Sequence, residues 1–356
     1  MKLTAISGLG CKGPACFLFE TAGRRILLDL GRGPDGDTLP DLTGVPPVDA
    51  IVFSHGHVDH TGGLHLAALL GNPPLFAPEP TIALSPDPAL HRATPLESVI
   101  EIAGVPFASG PAGHAPGARW LRLGGEGGLL YTGDMSRESV LYRWSLPLPA
   151  AVMVFDASYG TADQPLSDQM ADLMALADRP LLLPVPAGGR GLEMALAFRA
   201  AGHPVSLCPA HREVARVLLQ RPEVLQPGSA ARLSRLLSET AELTARSPAH
   251  GVMIAAGPNA ERGVAGALAP RFATEGSARI VFTGHLAEGA PSGAMVAQGQ
   301  ARFLRWNVHP TLTETRLLLQ SVAPAHAMPA FCKPGAAAAL AVALDRPLIM
   351  TREVIW

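Results

Sequence analysis

His55-Gly56-His57-Val58-Asp59-His60 places four polar side chains within six residues, one residue after the apolar run Ala50 to Phe53. The apolar run fits a buried strand, so the polar residues lie on a loop at the end of that strand. Imidazole nitrogens and a carboxylate oxygen are ligands that zinc accepts, and a spacing of two residues lets His55 and His57 converge on one ion. The stretch predicts a metal site. The alternative is a chance grouping of surface polar residues.

Two further polar residues follow other turns and predicted strands. His114 lies in Ala112-Gly113-His114-Ala115-Pro116, and Asp134 ends the segment Leu130-Tyr131-Thr132-Gly133-Asp134. Taken singly, a histidine is often a surface residue, and an aspartate after glycine is often a turn former. Together with the first cluster they supply a third imidazole for one metal ion and a carboxylate placed to bridge two.

The composition describes a folded chain with little overall charge. The chain has 356 residues, 48% of them hydrophobic and 16% charged, which fits two compact lobes. A formal charge of -2 offers no bulk attraction to a polyanion, so any nucleic-acid binding depends on local clusters. Almost every positive charge is an arginine, because the only lysines are Lys2, Lys12 and Lys333. Arginines suit phosphate recognition, but a base-composition bias of the genome is the favoured explanation.

The cysteines and the apolar runs indicate a cytoplasmic protein. The four cysteines form no C-x-x-C pair, so neither a disulfide framework nor a zinc ribbon is predicted. No secretory leader and no apolar stretch long enough to span a membrane is recognised, and no membrane partner is expected.

After Asp156 the pattern predicts alternating helices and strands. Ser167 to Ala177 and Gly191 to Ala201 are predicted helices, and Pro180 to Pro184 is a predicted strand, a spacing typical of βαβ units. Residues 227 to 250 are interpreted as a surface helix pair or an ordered loop. The isolated residues His203, His211 and His250 are interpreted as surface histidines.

The first half of the chain resembles the metallo-β-lactamase superfamily in the order and spacing of its motifs. Asp29 in Leu27-Leu28-Asp29-Leu30-Gly31 resembles the first motif of that superfamily, and His55 to His60, His114 and Asp134 resemble the next three. The resemblance implies that Asp29 orients a metal ligand. It also implies two zinc ions with these ligands: His55, His57 and His114 for the first, Asp59 and His60 for the second, and Asp134 between them.

Beyond Asp134 the chain resembles the β-CASP branch, a nucleic-acid-cleaving group that includes ribonuclease J, the cleavage subunit of messenger-RNA 3′-end processing and Artemis-type DNA nucleases. Phe155-Asp156-Ala157-Ser158-Tyr159-Gly160 resembles motif A of this branch, and His309 stands where the motif B histidine is expected. Pro186 to Glu193 and Thr283 to Gly289 are similar to two glycine-rich segments of the same branch.

This resemblance implies an α/β fold: a metallo-β-lactamase αββα sandwich with an inserted, shortened β-CASP α/β domain. The expected bounds are 1–160 for the first part of the sandwich, 161–304 for the insert and 305–356 for the return to the sandwich. The chain departs from the branch at Phe331, which replaces a histidine ligand of the second metal. We therefore expect one tightly bound zinc ion and a weaker second ion, unless His326 or Cys332 substitutes as a ligand.

The resemblance also implies roles in hydrolysis. Zinc lowers the pKa of a bound water towards about 7, and Asp59 orients that water as a base. His309, steered by Asp156, protonates the leaving oxygen, unless it is an ordinary surface residue. Arg190 either cradles a phosphate or forms a structural ion pair with Glu193 or another carboxylate.

The function predicted from these residues is a zinc-dependent nuclease, a metal-dependent hydrolase of RNA or single-stranded DNA, with RNA slightly favoured. Two alternatives remain open: hydrolysis of a small ester or thioester at the same metals, and a catalytically quiet scaffold within a processing complex. A homodimer or a processing-complex partner is a further expectation.

Overall fold

The computed structural model describes all residues from 1 to 356. The strands, in chain order, are β1 (Lys2–Ser7), β2 (Cys16–Thr21), β3 (Arg24–Leu28), β4 (Ala50–Val52), β5 (Leu75–Ala77), β6 (Thr94–Pro95), β7 (Glu101–Ile102), β8 (Val105–Pro111), β9 (Arg119–Leu123), β10 (Leu129–Tyr131), β11 (Val152–Asp156), β12 (Leu181–Val185), β13 (Val205–Leu207), β14 (Ala241–Glu242), β15 (Val252–Ala256), β16 (Arg279–Phe282), β17 (Arg302–Phe303), β18 (His326–Ala330) and β19 (Glu353–Ile355). The α-helices are α1 (Val58–Thr61), α2 (Glu79–Leu84), α3 (Leu166–Met174), α4 (Gly191–Ala200), α5 (Pro209–Leu219), α6 (Ser229–Glu239), α7 (Gly263–Glu275), α8 (Pro291–Ala297), α9 (Leu312–Val322) and α10 (Pro334–Ala343).

The chain divides into two compact units. Unit 1 comprises residues 1–137, 143–163 and 309–356, and unit 2 comprises residues 138–142 and 164–308. Unit 1 contains all the predicted metal ligands, together with Asp156 and His309. Unit 2 contains Arg190.

Unit 1 is built on two sheets that share one apolar core. The first sheet has the order β19-β1-β2-β3-β4-β5-β6, and the second has the order β18-β11-β10-β9-β8-β7. Side chains alternate between the two faces of a strand, so in β3 Ile26 and Leu28 enter the shared core while Leu27 points to the other side. Phe17 from the first sheet and Tyr131 from the second meet in this core with ring centroids 5.4 Å apart.

Helices cover the outer faces of both sheets. Leu27 and Phe53 of the first sheet pack with Leu64 and Leu70 from the segment after the histidine cluster. Phe155 of the second sheet packs in a separate cluster with residues of α9 and α10. These four layers confirm the predicted αββα sandwich.

Parallel strands bring the predicted site residues to one edge of each sheet. In the first sheet β3 and β4 are parallel, and Asp29 and His55 follow their carboxyl ends. In the second sheet β10, β11 and β18 are parallel, and they lead to Asp134, Asp156 and Phe331. The carboxyl ends of parallel strands share an edge, which is the usual position of a ligand site in α/β sheets.

The segment from Thr61 to Leu70, whose length and composition are typical of one helix, is interrupted in the structure. The structure has α1 and then a separate 3-10 helix over Leu64–Leu70. A side-chain carbon at Gly63 would lie 2.6 Å from the carbonyl oxygen of Gly31, so the backbone approaches here as only glycine allows. This close approach breaks the helix directly after the metal-ligand loop.

Unit 2 contains a parallel sheet of six strands in the order β14-β13-β15-β12-β16-β17. Helices α4, α5 and α7 contact this sheet, which confirms the predicted βαβ pattern. Residues 227–250 form α6 and the short edge strand β14. No helix of the chain combines the length and the apolar character needed to cross a bilayer.

The interpretation of His211 as a surface residue is wrong. His211 is fully buried on α5, with its Nδ1 3.1 Å from the sulfur of Cys208 and its Nε2 3.2 Å from the carbonyl oxygen of Pro186. Burial disfavours the charged imidazolium and lowers the pKa of His211 to about 4. His211 is therefore a neutral core residue of unit 2.

Candidate metal centre

Four of the predicted ligands of the first metal converge in unit 1. The potential ligand atoms of His55, His57, His114 and Asp134 all lie within 4.8 Å of one another. Nε2 of His114 lies 3.1 Å from Nδ1 of His57 and 3.4 Å from Oδ2 of Asp134. Three imidazoles and one carboxylate form a donor set that suits tetrahedral zinc.

The predicted ligands of the second metal form an adjoining group. Ligand atoms of Asp59, His60 and Asp134 also lie within 4.8 Å of one another, and Nε2 of His60 is 3.4 Å from Oδ1 of Asp134. Asp134 belongs to both groups, as expected for a carboxylate between two cations. The backbone of Gly31 packs directly against the backbone of Asp59. A side-chain carbon at Gly31 would lie 1.7 Å from the Asp59 carbonyl oxygen, so only glycine fits there.

Two buried polar atoms at the junction of these groups lack hydrogen-bond partners. They are Nε2 of His55 and Oδ1 of Asp134. Nε2 of His55 lies 4.0 Å from Oδ2 of Asp134, too far for a hydrogen bond. Because an unsatisfied buried polar atom costs about 1–3 kcal/mol, such atoms usually mark a site for a missing partner. The residues therefore fit a cation.

Asp29 organises the loop that carries the histidines. Its carboxylate accepts hydrogen bonds from the backbone N–H and the hydroxyl of Ser54, both at 2.7 Å, and from the hydroxyl of Tyr131 at 2.5 Å. Nδ1 of His60 lies 2.7 Å from the same carboxylate. With a proton on Nδ1, the His60 ring leaves Nε2 free to bind a metal.

The charges of the site keep His55 and Asp134 in the forms that bind cations. Burial, together with the neighbouring imidazoles of His60 and His57, holds the pKa of His55 well below its usual value. Burial alone would raise the pKa of Asp134, but His60 and other cationic neighbours outweigh it and hold that pKa well below its usual range. A neutral imidazole and an ionised carboxylate are the metal-binding forms.

His60 titrates in the opposite direction from His55. Burial alone would lower its pKa, but the carboxylates of Asp134 and Asp29 outweigh burial and raise the pKa of His60 well above its usual value. Burial and the Asp29 charge likewise raise the pKa of Tyr131, so its hydroxyl keeps the proton that it donates to Asp29.

We expect Asp29→Asn to weaken metal binding about 10- to 100-fold, because a neutral amide no longer holds the proton of His60 on Nδ1. The measurement is the zinc affinity of the purified variant by competition with a chromogenic chelator. Asp49→Asn is the matched control, since Asp49 caps the neighbouring backbone of Arg25 with a hydrogen bond of 2.8 Å and lies outside the site. Equal zinc affinity in wild type and Asp29→Asn would contradict the role of Asp29.

His309 is buried in unit 1, so the alternative interpretation of it as an ordinary surface residue is wrong. Its Nδ1 lies 2.7 Å from Oδ2 of Asp156 and 3.8 Å from Oδ2 of Asp134. The ring of Tyr159 packs edge-on against the His309 ring, with centroids 4.9 Å apart. The pairing with Asp156 leaves Nε2 of His309 as the nitrogen able to exchange a proton with a substrate.

Phe331 lies beside the second ligand group. Its ring centroid is 5.2 Å from that of His60, and its backbone N–H donates to the carbonyl oxygen of Gly8 at 2.8 Å. His326 begins β18 and is exposed, at the opposite end of the strand from Phe331, so it does not substitute as a ligand. Cys332 belongs to none of the three candidate ligand groups, and burial followed by the Asp156 charge raises the pKa of its thiol to about 11.

Arg190 lies in unit 2 with protein partners. It is buried, and its Nε donates to the hydroxyl of Thr283 at 2.9 Å. Burial raises the pKa of Glu193 to about 7, and the charge of Arg190 acts against that rise. Phosphate binding by Arg190 and an ion pair with Glu193 or another carboxylate both stay predictions.

Sequence reasoning missed three contributors to the site. Ser54 and Tyr131 support Asp29, but Ser54 only follows an apolar run and Tyr131 only ends one, so neither carries a local signal. Lys12 lies on the loop before β2, and its Nζ donates to the hydroxyl of Ser158 at 3.0 Å. The only feature of the sequence that could have drawn attention to Lys12 is that the chain has just three lysines.

The carboxylates of the centre attract the positive charge of Lys12. Burial alone would lower its pKa, but attraction by Asp134, Asp59 and Asp156 outweighs burial and leaves the pKa of Lys12 above its usual value. The ammonium is therefore charged.

Known proteins are similar to this chain in sequence and in fold. Residues 9–172 match the family model described as the metallo-beta-lactamase superfamily. The chain is 27% identical over 246 residues to a transcription termination factor FttA of Cenarchaeum symbiosum, covering 54% of this chain and 38% of that protein. It is 26% identical over 249 residues to ribonuclease TTHA0252 of Thermus thermophilus, covering 59% of this chain and 58% of the ribonuclease.

The chain thus spans about half the length, or less, of these curated relatives. A solved structure of a protein of unknown function from Enterococcus faecalis V583 matches with a TM-score of 0.56 at 15% identity, covering 94% of this chain and 95% of that one. This likeness concerns the fold alone.

Proposed function

We propose that this chain is a zinc-dependent nuclease of the metallo-β-lactamase superfamily, whose family model matches residues 9–172, and that it cleaves RNA slightly better than DNA. The observation that carries the proposal is the pair of His309 and Asp156, joined at 2.7 Å beside the metal-ligand groups. A thiolate or a phenolate leaves with little need for such a proton donor, whereas the alkoxide leaving group of a phosphodiester needs one. The similarity to a ribonuclease supports the same choice.

The residues divide the work between two sides of the site. His55, His57, His114 and Asp134 would hold the first ion, and Asp59 and His60 would join Asp134 around a second. Bound zinc supplies a Lewis acid that activates water and stabilises charge on a phosphate. The carboxylate of Asp59 orients the attacking water and accepts its proton. His309 gives a proton from Nε2 to the leaving oxygen while Asp156 holds its Nδ1.

The proposed substrate is an RNA or a single-stranded DNA. The net charge of -2 supplies no general attraction to it, so binding rests on local contacts. We leave Arg190 outside the catalytic machinery, because its buried guanidinium already bonds to Thr283. The four free cysteines support a cytoplasmic location. A homodimer or a processing-complex partner stays a prediction.

The test uses the purified protein on three substrates: a labelled RNA, a labelled single-stranded DNA and a chromogenic ester, each with and without a chelator. We expect cleavage of RNA, slower cleavage of DNA, little hydrolysis of the ester, and loss of all cleavage with the chelator until zinc is restored. Hydrolysis of the ester alone would contradict the proposal in favour of a small-molecule hydrolase. Zinc-loaded protein without activity on any substrate would favour a scaffold.

A further inference from the structure

An arginine and a tryptophan are stacked on each other in unit 1, close to the metal ligands. The guanidinium carbon of Arg137 lies 4.7 Å from the centroid of the Trp144 ring, within the range of a cation–π contact. Neither residue takes part in the proposed steps of cleavage. Arg137 is exposed, so the contact with the ring limits the freedom of a side chain that would otherwise move in solvent.

Trp144 is joined to the loop that carries His114. It forms an antiparallel β-bridge with Ala112, two residues before His114. A side-chain carbon at Gly113 would lie 3.3 Å from Cβ of Trp144, so the backbone directly before His114 packs on the tryptophan. Trp144 is therefore fixed to the segment that presents one ligand of the first ion.

Arg137 is joined to the loop that carries Asp134. It lies three residues after Asp134, so the two Cα atoms are at most about 11 Å apart. The residue before it, Ser136, donates its N–H to the carbonyl oxygen of Ala112 at 2.8 Å. Ala112 thus holds the backbone on both sides of the stack, and both sides lead directly to metal ligands.

The charge of Arg137 is not neutralised within the protein. Its guanidinium forms no ion pair, and its one contact is with the Trp144 ring. The carboxylate of the next residue, Glu138, is occupied within unit 2, where it accepts from the N–H of Leu166 at 2.7 Å and from the side-chain amide of Asn307 at 3.0 Å. A guanidinium has five N–H donors at its edges, and stacking uses only its face. The edges therefore remain available to an anion.

The chemistry of the indole suits the task of holding a cation. The N–H of the Trp144 ring is buried and has no acceptor, so the ring contributes through its face and not through a hydrogen bond. Among the aromatic side chains, tryptophan attracts cations over its face most strongly. We expect Trp144 to hold the Arg137 guanidinium in one orientation.

We propose that Arg137, held in place by Trp144, binds a backbone phosphate of the nucleic acid close to the linkage that is cleaved. This inference rests on the proposed function and adds a substrate contact to it. The edge of a guanidinium binds two phosphate oxygens at once and reads no base, so the contact is the same for every sequence and for RNA and DNA. It is one of the local contacts that a chain with a net charge of -2 needs.

The test measures binding of the zinc-loaded protein to a fluorescent oligouridylate with phosphorothioate linkages, which keep the charge of the strand and resist cleavage. Fluorescence anisotropy gives the dissociation constant at several salt concentrations. We expect Arg137→Gln to weaken binding about tenfold at low salt and to reduce the slope of log affinity against log salt by about 0.7, the contribution of one phosphate on a single strand. Arg137→Lys keeps the charge and is expected to keep the slope.

Two further variants sharpen the result. Arg24→Gln is the matched control, because Arg24 is an exposed arginine of unit 1 at the opposite end of β3 from the metal centre, 3.3 Å from Asp49. Trp144→Leu removes the cation–π contact and is expected to weaken binding about two- to fivefold. Combined with Arg137→Gln it should weaken binding no further, because the ring acts through the arginine.

Wild-type affinity and salt slope in a folded Arg137→Gln would overturn the inference, and so would a wild type that does not bind the strand. Full additivity of the two variants would refute the role of Trp144. The thermal unfolding midpoint of each variant establishes that it is folded. Because the readout is binding, a wild type that binds the strand through Arg137 but cleaves no RNA would refute the proposed nuclease and leave the phosphate contact standing.

Discussion

His57→Ala is expected to lose the tightly bound zinc and to lower the rate of RNA cleavage by at least about a thousandfold, since the metal supplies both the activated water and the charge stabilisation. His57 is one of three imidazoles in the first ligand group, and its Nδ1 lies 3.1 Å from Nε2 of His114. Removing it leaves two imidazoles and Asp134, so the first ion loses one of its four protein donors and its affinity is expected to fall. The measurements are zinc content by elemental analysis and the single-turnover rate on labelled RNA.

The control for this variant is His65→Ala. His65 lies on the 3-10 helix just after the ligand loop but is exposed, so its loss is expected to leave zinc content and rate unchanged. Wild-type cleavage by zinc-free His57→Ala would refute the metal mechanism. If His57→Ala bound as much zinc as wild type does, the zinc ligands would have to lie elsewhere in the chain.

His309→Gln is expected to lower RNA cleavage by about 10²- to 10⁴-fold, the usual contribution of a general acid, with zinc content unchanged. The physical reason is that glutamine cannot deliver the proton that Nε2 of His309 gives to the leaving oxygen. A substrate with a p-nitrophenolate leaving group needs no such proton. On bis-p-nitrophenyl phosphate the variant should therefore lose much less activity than on RNA.

The comparison of the two substrates separates proton donation from metal binding. His309 also belongs to a group with Asp134 and Asp156 that could hold an ion. Equal losses on both substrates, accompanied by loss of zinc, would make His309 a ligand and contradict its role as an acid. His326→Gln is the matched control, because His326 is the exposed histidine at the start of β18.

Local sequence was sufficient for the parts of the site that lie close together in the chain. His55, His57, Asp59 and His60 share one loop after β4, so their spacing alone predicted convergence. Asp134 and Asp156 follow neighbouring parallel strands, and the resemblance to a known family supplied the pairing of those strands. The resemblance to that family also supplied the fold class, an αββα sandwich with an inserted α/β domain.

The predictions that were wrong or missing concern contacts between segments that lie far apart in the sequence. The helix after the ligand loop breaks because Gly63 meets the backbone of Gly31, a contact that no pattern within residues 61–70 contains. His211 was misread because its burial comes from the packing of α5 in unit 2. Lys12 reaches Ser158 across 146 residues of sequence, which only the folded chain reveals.

The interleaving of the two units has a consequence for biosynthesis. Residues 164–308 of unit 2 leave the ribosome before residues 309–356, whereas unit 1 needs β18, and also β19, which pairs with β1 through Leu3 and Val354. Domains fold as their residues emerge, so the inserted unit can mature while the enclosing one still waits for its last strands. A metal centre that needs the complete unit 1 would accordingly form late, and a nascent chain that has emerged from the ribosome only as far as residue 308 would display a folded insert on an unfinished catalytic domain.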